Sequence, residues 1–164
     1  MEPRLVELAE QLGSLLGRLG IRVVTAESCT GGLISAAITS VAGSSAWFER
    51  GFATYSNTAK HELLGVDAAL FKSDGAVSEA VVLAMAKGAI ERSKSHISVA
   101  VSGIAGPNGG MADKPVGTVW IAWGQKLGYA EAHCFHFKGD RQEVRNAAAA
   151  AALEGLIKRL AAQN

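Results

Sequence analysis

Residues 21–32 read I-R-V-V-T-A-E-S-C-T-G-G, a β-branched run that leads into a loop of small residues. The run from Ile21 to Ala26 predicts a buried strand. Helical spacing of apolar residues resumes after the two glycines, at Leu33, Ile34, Ala37, Ile38 and Val41. A strand, a short loop and a helix N-terminus therefore follow one another, which favours an α/β domain.

Helix-like and strand-like segments continue on both sides of this unit. Apolar residues at three- and four-residue spacing predict a first helix that ends at Gly20. The further predicted strands are 51–55, 97–101, 116–123 and 129–137. The further predicted helix N-caps are Asn57 or Thr58, Ser78 and Asp140, the last with Glu143 as a capping box. The order predicts one three-layer α/β domain over residues 1–164, with a mixed β-sheet and helices on both faces.

Composition and charge exclude several classes of protein. A chain of 164 residues with 49% apolar residues can build one substantial core. A formal net charge of +1 favours neither nucleic-acid binding nor adsorption to a membrane. The charged N-terminal segment and the short apolar runs predict a soluble, cytoplasmic protein. The four histidines form no visible metal-ligand cluster, so we expect no metal and no cofactor.

Residues 42–60 read A-G-S-S-A-W-F-E-R-G-F-A-T-Y-S-N-T-A-K and carry the inventory of a metal-free hydrolase. A Ser hydroxyl is a weak nucleophile until a neighbouring base removes its proton, and a buried Lys can lose its own proton to become that base. The segment predicts nucleophilic Ser-Lys chemistry.

Two glycine-rich loops lie before and after this segment in the sequence. The first glycine loop, Thr25–Gly32, precedes a helix whose free N–H groups could bind a phosphate, although a tight turn capped by Ser28 or Thr30 explains it equally well. The second glycine loop, Ser102–Gly110, follows a strand and contains more glycine than a turn requires, which favours a ligand-binding role.

Cys29 is the rival nucleophile. Its place beside a helix N-terminus predicts a lowered thiol pKa. No histidine lies close to it in the sequence, so the Ser-Lys interpretation is favoured.

Five motifs, T-A-E-S-C-T-G-G, residues 42–60, G-A-V-S-E, S-G-I-A-G-P-N-G-G and K-P-V-G-T-V-W, occur in the order found in the CinA C-terminal domain family. The chain resembles this family from about Val6 to the final helix, in the form that lacks a further N-terminal domain. Enzymatically active members are nicotinamide mononucleotide deamidases, so the resemblance implies hydrolysis of that nucleotide to nicotinic acid mononucleotide and ammonia, in NAD salvage.

The resemblance also implies roles for particular residues. Ser45 would be the nucleophile, Lys60 its base, and Tyr55 a residue that assists them. Arg141 would lie near the substrate phosphate. The implied substrate-binding positions are Ser28, Thr30, Gly31, Gly32, Ser102 and Gly103. The implied partners are the nucleotide substrate and a second copy of the chain, in a homo-oligomer of which a dimer is favoured. The alternative is a non-catalytic nucleotide-binding or regulatory module, but Ser45, Tyr55 and Lys60 together favour the enzyme.

Overall fold

The computed structural model describes residues 1–163, which fold around a five-stranded mixed sheet. The helices are α1 Pro3–Leu19, α2 Leu33–Thr39, α3 Asn57–Leu64, α4 Ala68–Ser73, α5 Glu79–Glu91 and α6 Arg141–Ala161. The strands are β1 Val23–Glu27, β2 Phe48–Ala53, β3 Ile97–Gly103, β4 Thr118–Gln125 and β5 Ala130–His136. A short 3₁₀ turn, Ser44–Ala46, precedes β2.

The strand order in the sheet is β2-β1-β3-β4-β5. Strand β1 is parallel to both of its neighbours, with Val24 opposite Arg50 on β2 and Ser98 on β3. Strand β4 is antiparallel to both β3 and β5, and the three strands form a meander. The chain therefore leaves β1 for β2 on one side and later returns to β3 on the other side, which makes the carboxyl end of β1 a topological switch point.

Helices cover both faces of the sheet, as the sequence predicts. Helices α1, α2 and α6 pack together on one face, around core residues such as Leu12, Ile38 and Leu153. Helices α3 and α5 pack on the other face, around Leu64 and Met85. The mixed three-layer α/β architecture is confirmed. Within residues 1–163, none of the helices combines the length and apolar character needed to cross a bilayer.

Local signals in the sequence locate most helix ends. Gly20 ends α1 in a left-handed conformation with φ 64°. Ser78 caps α5, and Asp140 and Glu143 form the predicted reciprocal capping box of α6. The predicted cap of α3 is wrong by one residue, because Ser56 is the extended residue whose hydroxyl accepts from the Ala59 N–H at 3.0 Å.

Two elements differ from the sequence prediction. Strand β2 starts at Phe48, three residues before the predicted start, and lies at the edge of the sheet. Its first residues include Glu49 and Arg50, which conceal the strand pattern. Helix α4 was not predicted, since a helix of six residues is too short to show a periodic apolar face.

The contact between α3 and α5 can be tested at Gly88. A Cβ atom there would lie 1.9 Å from the Leu64 carbonyl oxygen, so the two helices would have to separate. Gly88→Ala should lower the free energy of unfolding by about 1–3 kcal/mol, measured by urea denaturation. Gly17→Ala is the matched control, because a Cβ there meets nothing within 4 Å and should stabilise α1 by about 0.5–1 kcal/mol. Equal effects at both positions would contradict the close packing.

Candidate active site

Polar groups converge at the carboxyl ends of the three parallel strands. Ser28 follows β1, Thr54 follows β2, and Ser102 lies near the end of β3. Backbone hydrogen bonds continue beyond the carboxyl ends of the strands. The Ser28 N–H donates to Val101 O at 3.0 Å, and the Thr54 N–H donates to Glu27 O at 2.8 Å. The segments after β1, β2 and β3 are therefore held side by side at the switch point.

The Glu27 carboxylate lies beneath the N-terminus of α2. It is 1% exposed and accepts from the N–H groups of Gly32, Ile34 and Ser35 at 3.1, 3.0 and 2.8 Å. The Ser35 hydroxyl donates to it as well, at 2.8 Å. Gly31 and Gly32 have φ of 58° and 99°, which allows the tight approach of the loop to its own strand. The side-chain cap expected from Ser28 or Thr30 is wrong, because Glu27 takes that role.

Lys60 is the buried cation of the site. It lies in the first turn of α3 and is 2% exposed. Its Nζ donates to Ser28 Oγ and to the Thr54 carbonyl oxygen, each at 2.9 Å. Burial lowers the pKa of Lys60 from 10.5 to about 8. None of the ion pairs formed within residues 1–163 includes Lys60. A buried amine without an acidic partner can lose its proton near neutral pH and act as a base.

The structure does not bring Ser45 to Lys60. Ser45 is exposed in the 3₁₀ turn before β2. The Val23 N–H donates to Trp47 O at 2.9 Å, so this turn lies beside the start of β1. The six residues of β2 separate it from Thr54, a span of about 20 Å at the usual rise of a strand. Ser45 and Lys60 therefore lie at opposite ends of β2, and the chain as described shows no contact between them. The hydroxyl in contact with Lys60 is that of Ser28.

Cys29 does not have the lowered thiol pKa that its position predicted. Its side chain is buried, and burial raises the pKa of the Cys29 thiol to about 11. The nearby N-terminus of α2 already donates to Glu27. The thiol is therefore protonated at neutral pH and is a poor nucleophile.

Tyr55 and Arg141 meet at the rim of the site. Arg141 Nη2 donates to the Tyr55 hydroxyl at 2.9 Å, and its Nη1 donates to Gly106 O at 2.8 Å. Tyr55 is 64% exposed. Arg141 thus connects the segment after β2 to the second glycine loop from the first turn of α6, and it is accessible to a ligand.

The predicted positions on β3 serve the fold. Ser102 is 2% exposed, and its hydroxyl donates to Ala76 O at 2.8 Å. A Cβ at Gly103 would lie 2.6 Å from the Val119 side chain, so the packing of β4 requires glycine there. Neither residue directs a free polar side chain to a ligand. Thr30 differs, because its buried Oγ1 has no hydrogen-bond partner among residues 1–163.

Arg145 is part of the site but was not predicted from the sequence. Its Nε donates to Cys29 O at 3.2 Å, and its Nη2 donates to Thr30 O at 3.0 Å. The available signal was its place four residues after Arg141, on the same face of α6. In the part of the chain that the structure describes, no three His, Cys, Asp or Glu side chains are grouped to share a metal ion.

Comparison with known proteins identifies relatives of the whole chain. A family model described as the CinA C-terminal domain matches residues 5–160. The nicotinamide-nucleotide amidohydrolase PncC of Enterobacter agglomerans is 52% identical over 96% of this chain and 96% of its own. The protein of that name from Escherichia coli K12 is 50% identical over 94% of both chains. The crystal structure of the competence/damage inducible protein from Agrobacterium tumefaciens has a TM-score of 0.94 at 46% identity, covering 96% of each chain.

The lowered pKa of Lys60 makes stability depend on pH. Between pH about 8 and 10.5 the unfolded chain binds a proton that folded Lys60 has released, so the free energy of unfolding rises with pH in this window. Lys60→Met removes this contribution. The melting temperature of the unmodified protein relative to that of Lys60→Met should therefore increase from pH 7 to pH 10, by about 2–4 °C for each kcal/mol. Lys94→Met, at an exposed position, is the control. A difference that stays constant from pH 7 to pH 10 would contradict the pKa shift.

Proposed function

Because the chain belongs to the CinA C-terminal domain family, we propose that it hydrolyses nicotinamide mononucleotide to nicotinic acid mononucleotide and ammonia. Two relatives that are about half identical over nearly the whole chain are named nicotinamide-nucleotide amidohydrolase. The observation that carries the proposal in this chain is the 2.9 Å contact between Ser28 Oγ and the buried Lys60 Nζ. A hydroxyl beside a base of lowered pKa is the arrangement that nucleophilic amide hydrolysis needs.

In the proposed mechanism, Ser28 takes the role that the family resemblance implied for Ser45. Neutral Lys60 accepts the Ser28 proton as Oγ attacks the carboxamide carbon, and the carbonyl oxygen becomes an oxyanion. The C–N bond then breaks, and the amide nitrogen leaves as ammonia with the proton held by Lys60. A water molecule attacks the resulting ester, with Lys60 again as the base, and releases the carboxylic acid and free Ser28.

The charge of the substrate favours the neutral form of Lys60. The nicotinamide ring of the mononucleotide is a pyridinium cation, and a cation bound near Lys60 lowers its pKa further. The pKa of about 8 in the free protein is already close to the range in which a general base is efficient at neutral pH.

The phosphate of the substrate is assigned to Arg141. The N-terminus of α2, which the sequence suggested as a phosphate site, is filled by the Glu27 carboxylate. Arg141 instead donates to two neutral acceptors, the Tyr55 hydroxyl and Gly106 O, so a phosphate can approach an uncompensated guanidinium. The exposed Tyr55 ring can also contact the pyridinium.

The proposed function also includes the domain organisation, the cellular location and the oligomeric state of the enzyme. We expect a single domain that acts in the cytoplasm without nucleic acid, and the family resemblance favours a homodimer. The direct test is to incubate the purified protein with nicotinamide mononucleotide and to measure ammonia and nicotinic acid mononucleotide. Formation of neither product would refute the proposed function.

Substitutions at the two serines separate the two candidate nucleophiles. Ser28→Ala and Lys60→Ala should each lower kcat by several orders of magnitude, because one variant lacks the nucleophile and the other lacks its base. Ser45→Ala should retain turnover within about twofold, since Ser45 is exposed at the other end of β2 from Lys60. Circular dichroism and melting curves check that each variant is folded. Near-normal turnover by Ser28→Ala, or loss of turnover in Ser45→Ala, would refute the assignment.

The phosphate assignment can be tested with two substrates. A charge-assisted hydrogen bond contributes about 1.5–3 kcal/mol, so Arg141→Ala should lower kcat/KM for the mononucleotide by about one to two powers of ten. The loss should be much smaller for nicotinamide riboside, which has no phosphate. Lys138→Ala, which removes an exposed positive charge three residues earlier, controls for general electrostatic attraction. Equal losses on nucleotide and riboside would show that Arg141 does not contact the phosphate.

A further inference from the structure

Arg145 connects α6 to the turn that carries Ser28. Its Nε and Nη2 donate to the carbonyl oxygens of Cys29 and Thr30, and its Nη1 donates to Gln142 Oε1 at 3.0 Å. All three guanidinium nitrogens therefore have a partner within the chain. Arg141, one helical turn earlier, is exposed and donates to the hydroxyl of the exposed Tyr55 at the rim. Arg145 thus binds the backbone of the turn, whereas the guanidinium of Arg141 is accessible to a ligand.

These two contacts fix the directions of the backbone amides. In a trans peptide the C=O and N–H groups point in opposite directions. Because the Cys29 carbonyl faces Arg145 on α6, the Thr30 N–H in the same peptide plane points away from α6. Similarly, the Gly31 N–H closes the turn onto Ser28 O at 2.9 Å. Arg145 therefore determines the orientation of the two peptides that follow the proposed nucleophile.

The donors of Thr30 are unpaired. Among residues 1–163, no acceptor pairs with its backbone N–H or with its buried Oγ1. The Ser28 N–H is not available, because it donates to Val101 O. A Ser side chain at the start of such a turn lies within reach of the N–H two residues later. Unpaired buried donors are uncommon in folded proteins, and because Thr30 is 0% exposed the turn around them is closed to solvent.

We infer that Arg145 is a positioning residue, which holds the Ser28–Gly31 turn so that the Ser28 hydroxyl stays in contact with Lys60. This inference rests on the proposed amidase function. Arg145 itself does not touch the substrate, since its nitrogens are occupied by Cys29, Thr30 and Gln142. Its removal should therefore affect kcat rather than KM.

The test is a pair of substitutions on one helix. Arg145→Lys cannot bond two carbonyl groups with the same planar fork, and it should lower kcat by about 10²-fold, the usual effect of misplacing a catalytic group by about 1 Å. KM should change by less than about threefold. Arg159→Lys is the matched control, because Arg159 also donates to a backbone carbonyl from α6, that of Gly155 at 2.9 Å, but at the far end of the helix. Its kcat should be unchanged.

Chemical rescue separates positioning from a merely structural role. In Arg145→Ala, guanidinium chloride below denaturing concentrations should restore part of the lost kcat, because a free guanidinium can bridge the same carbonyl groups. A raised KM with normal kcat would overturn the inference, since it would mean that Arg145 binds substrate. Loss of kcat in step with melting temperature, without rescue, would overturn it in favour of a structural role.

An activated ester keeps this test independent of the proposed substrate. The burst of nitrophenol from p-nitrophenyl acetate reports acylation of Ser28 whether or not nicotinamide mononucleotide is hydrolysed. A burst without ammonia release would refute the proposed function, and slower acylation in Arg145→Ala would still support the inference. Unchanged acylation in Arg145→Ala would overturn the inference while leaving the proposed function intact. No reaction with either compound would refute both.

Discussion

The hydrogen bonds of one buried carboxylate fix the geometry on which the site depends. Glu27 ends β1 and accepts four hydrogen bonds from the first turn of α2 and the Ser35 hydroxyl. A carboxylate buried without donors would be costly, but here the backbone donors and the helix dipole stabilise it. Strand and helix are therefore tied together within a few residues. Ser28, the first of the five residues between them, has little freedom to move.

Lys60 is also buried, but no group of opposite charge compensates its ammonium group. Glu27 is surrounded by donors that suit its charge, whereas Lys60 has one hydroxyl and one carbonyl oxygen as partners. Burial is therefore not balanced by an acid, and its effect is to lower the pKa of the amine. Glu27 and Lys60 thus have different effects on the site. One stabilises the backbone of the site, and the other is held in a state that favours proton transfer.

Signals confined to a few residues allowed much of the fold to be predicted, but not the central contact of the site. The caps at Gly20, Ser78 and Asp140 depend on local backbone geometry, and the structure confirms them. The contact of Lys60 with Ser28 joins residues 32 positions apart, which no local pattern encodes. Ser45 is closer in sequence, but β2 separates it from Lys60. For Cys29, proximity to a helix N-terminus was visible in the sequence, whereas its burial and the competing carboxylate were not.

The position of α6 in the chain has a consequence for biosynthesis. The helix follows all five strands and spans 21 residues, about 31 Å, and it supplies Arg141 and Arg145 to the site. On the ribosome, α6 is the last element to be translated, and a domain generally folds as a unit. The carbonyl groups of Cys29 and Thr30 remain without their guanidinium partner until α6 docks. The turn that carries Ser28 would therefore be held in place only when this last helix packs against α1 and α2, so the geometry of the site depends on the last helix that the ribosome makes.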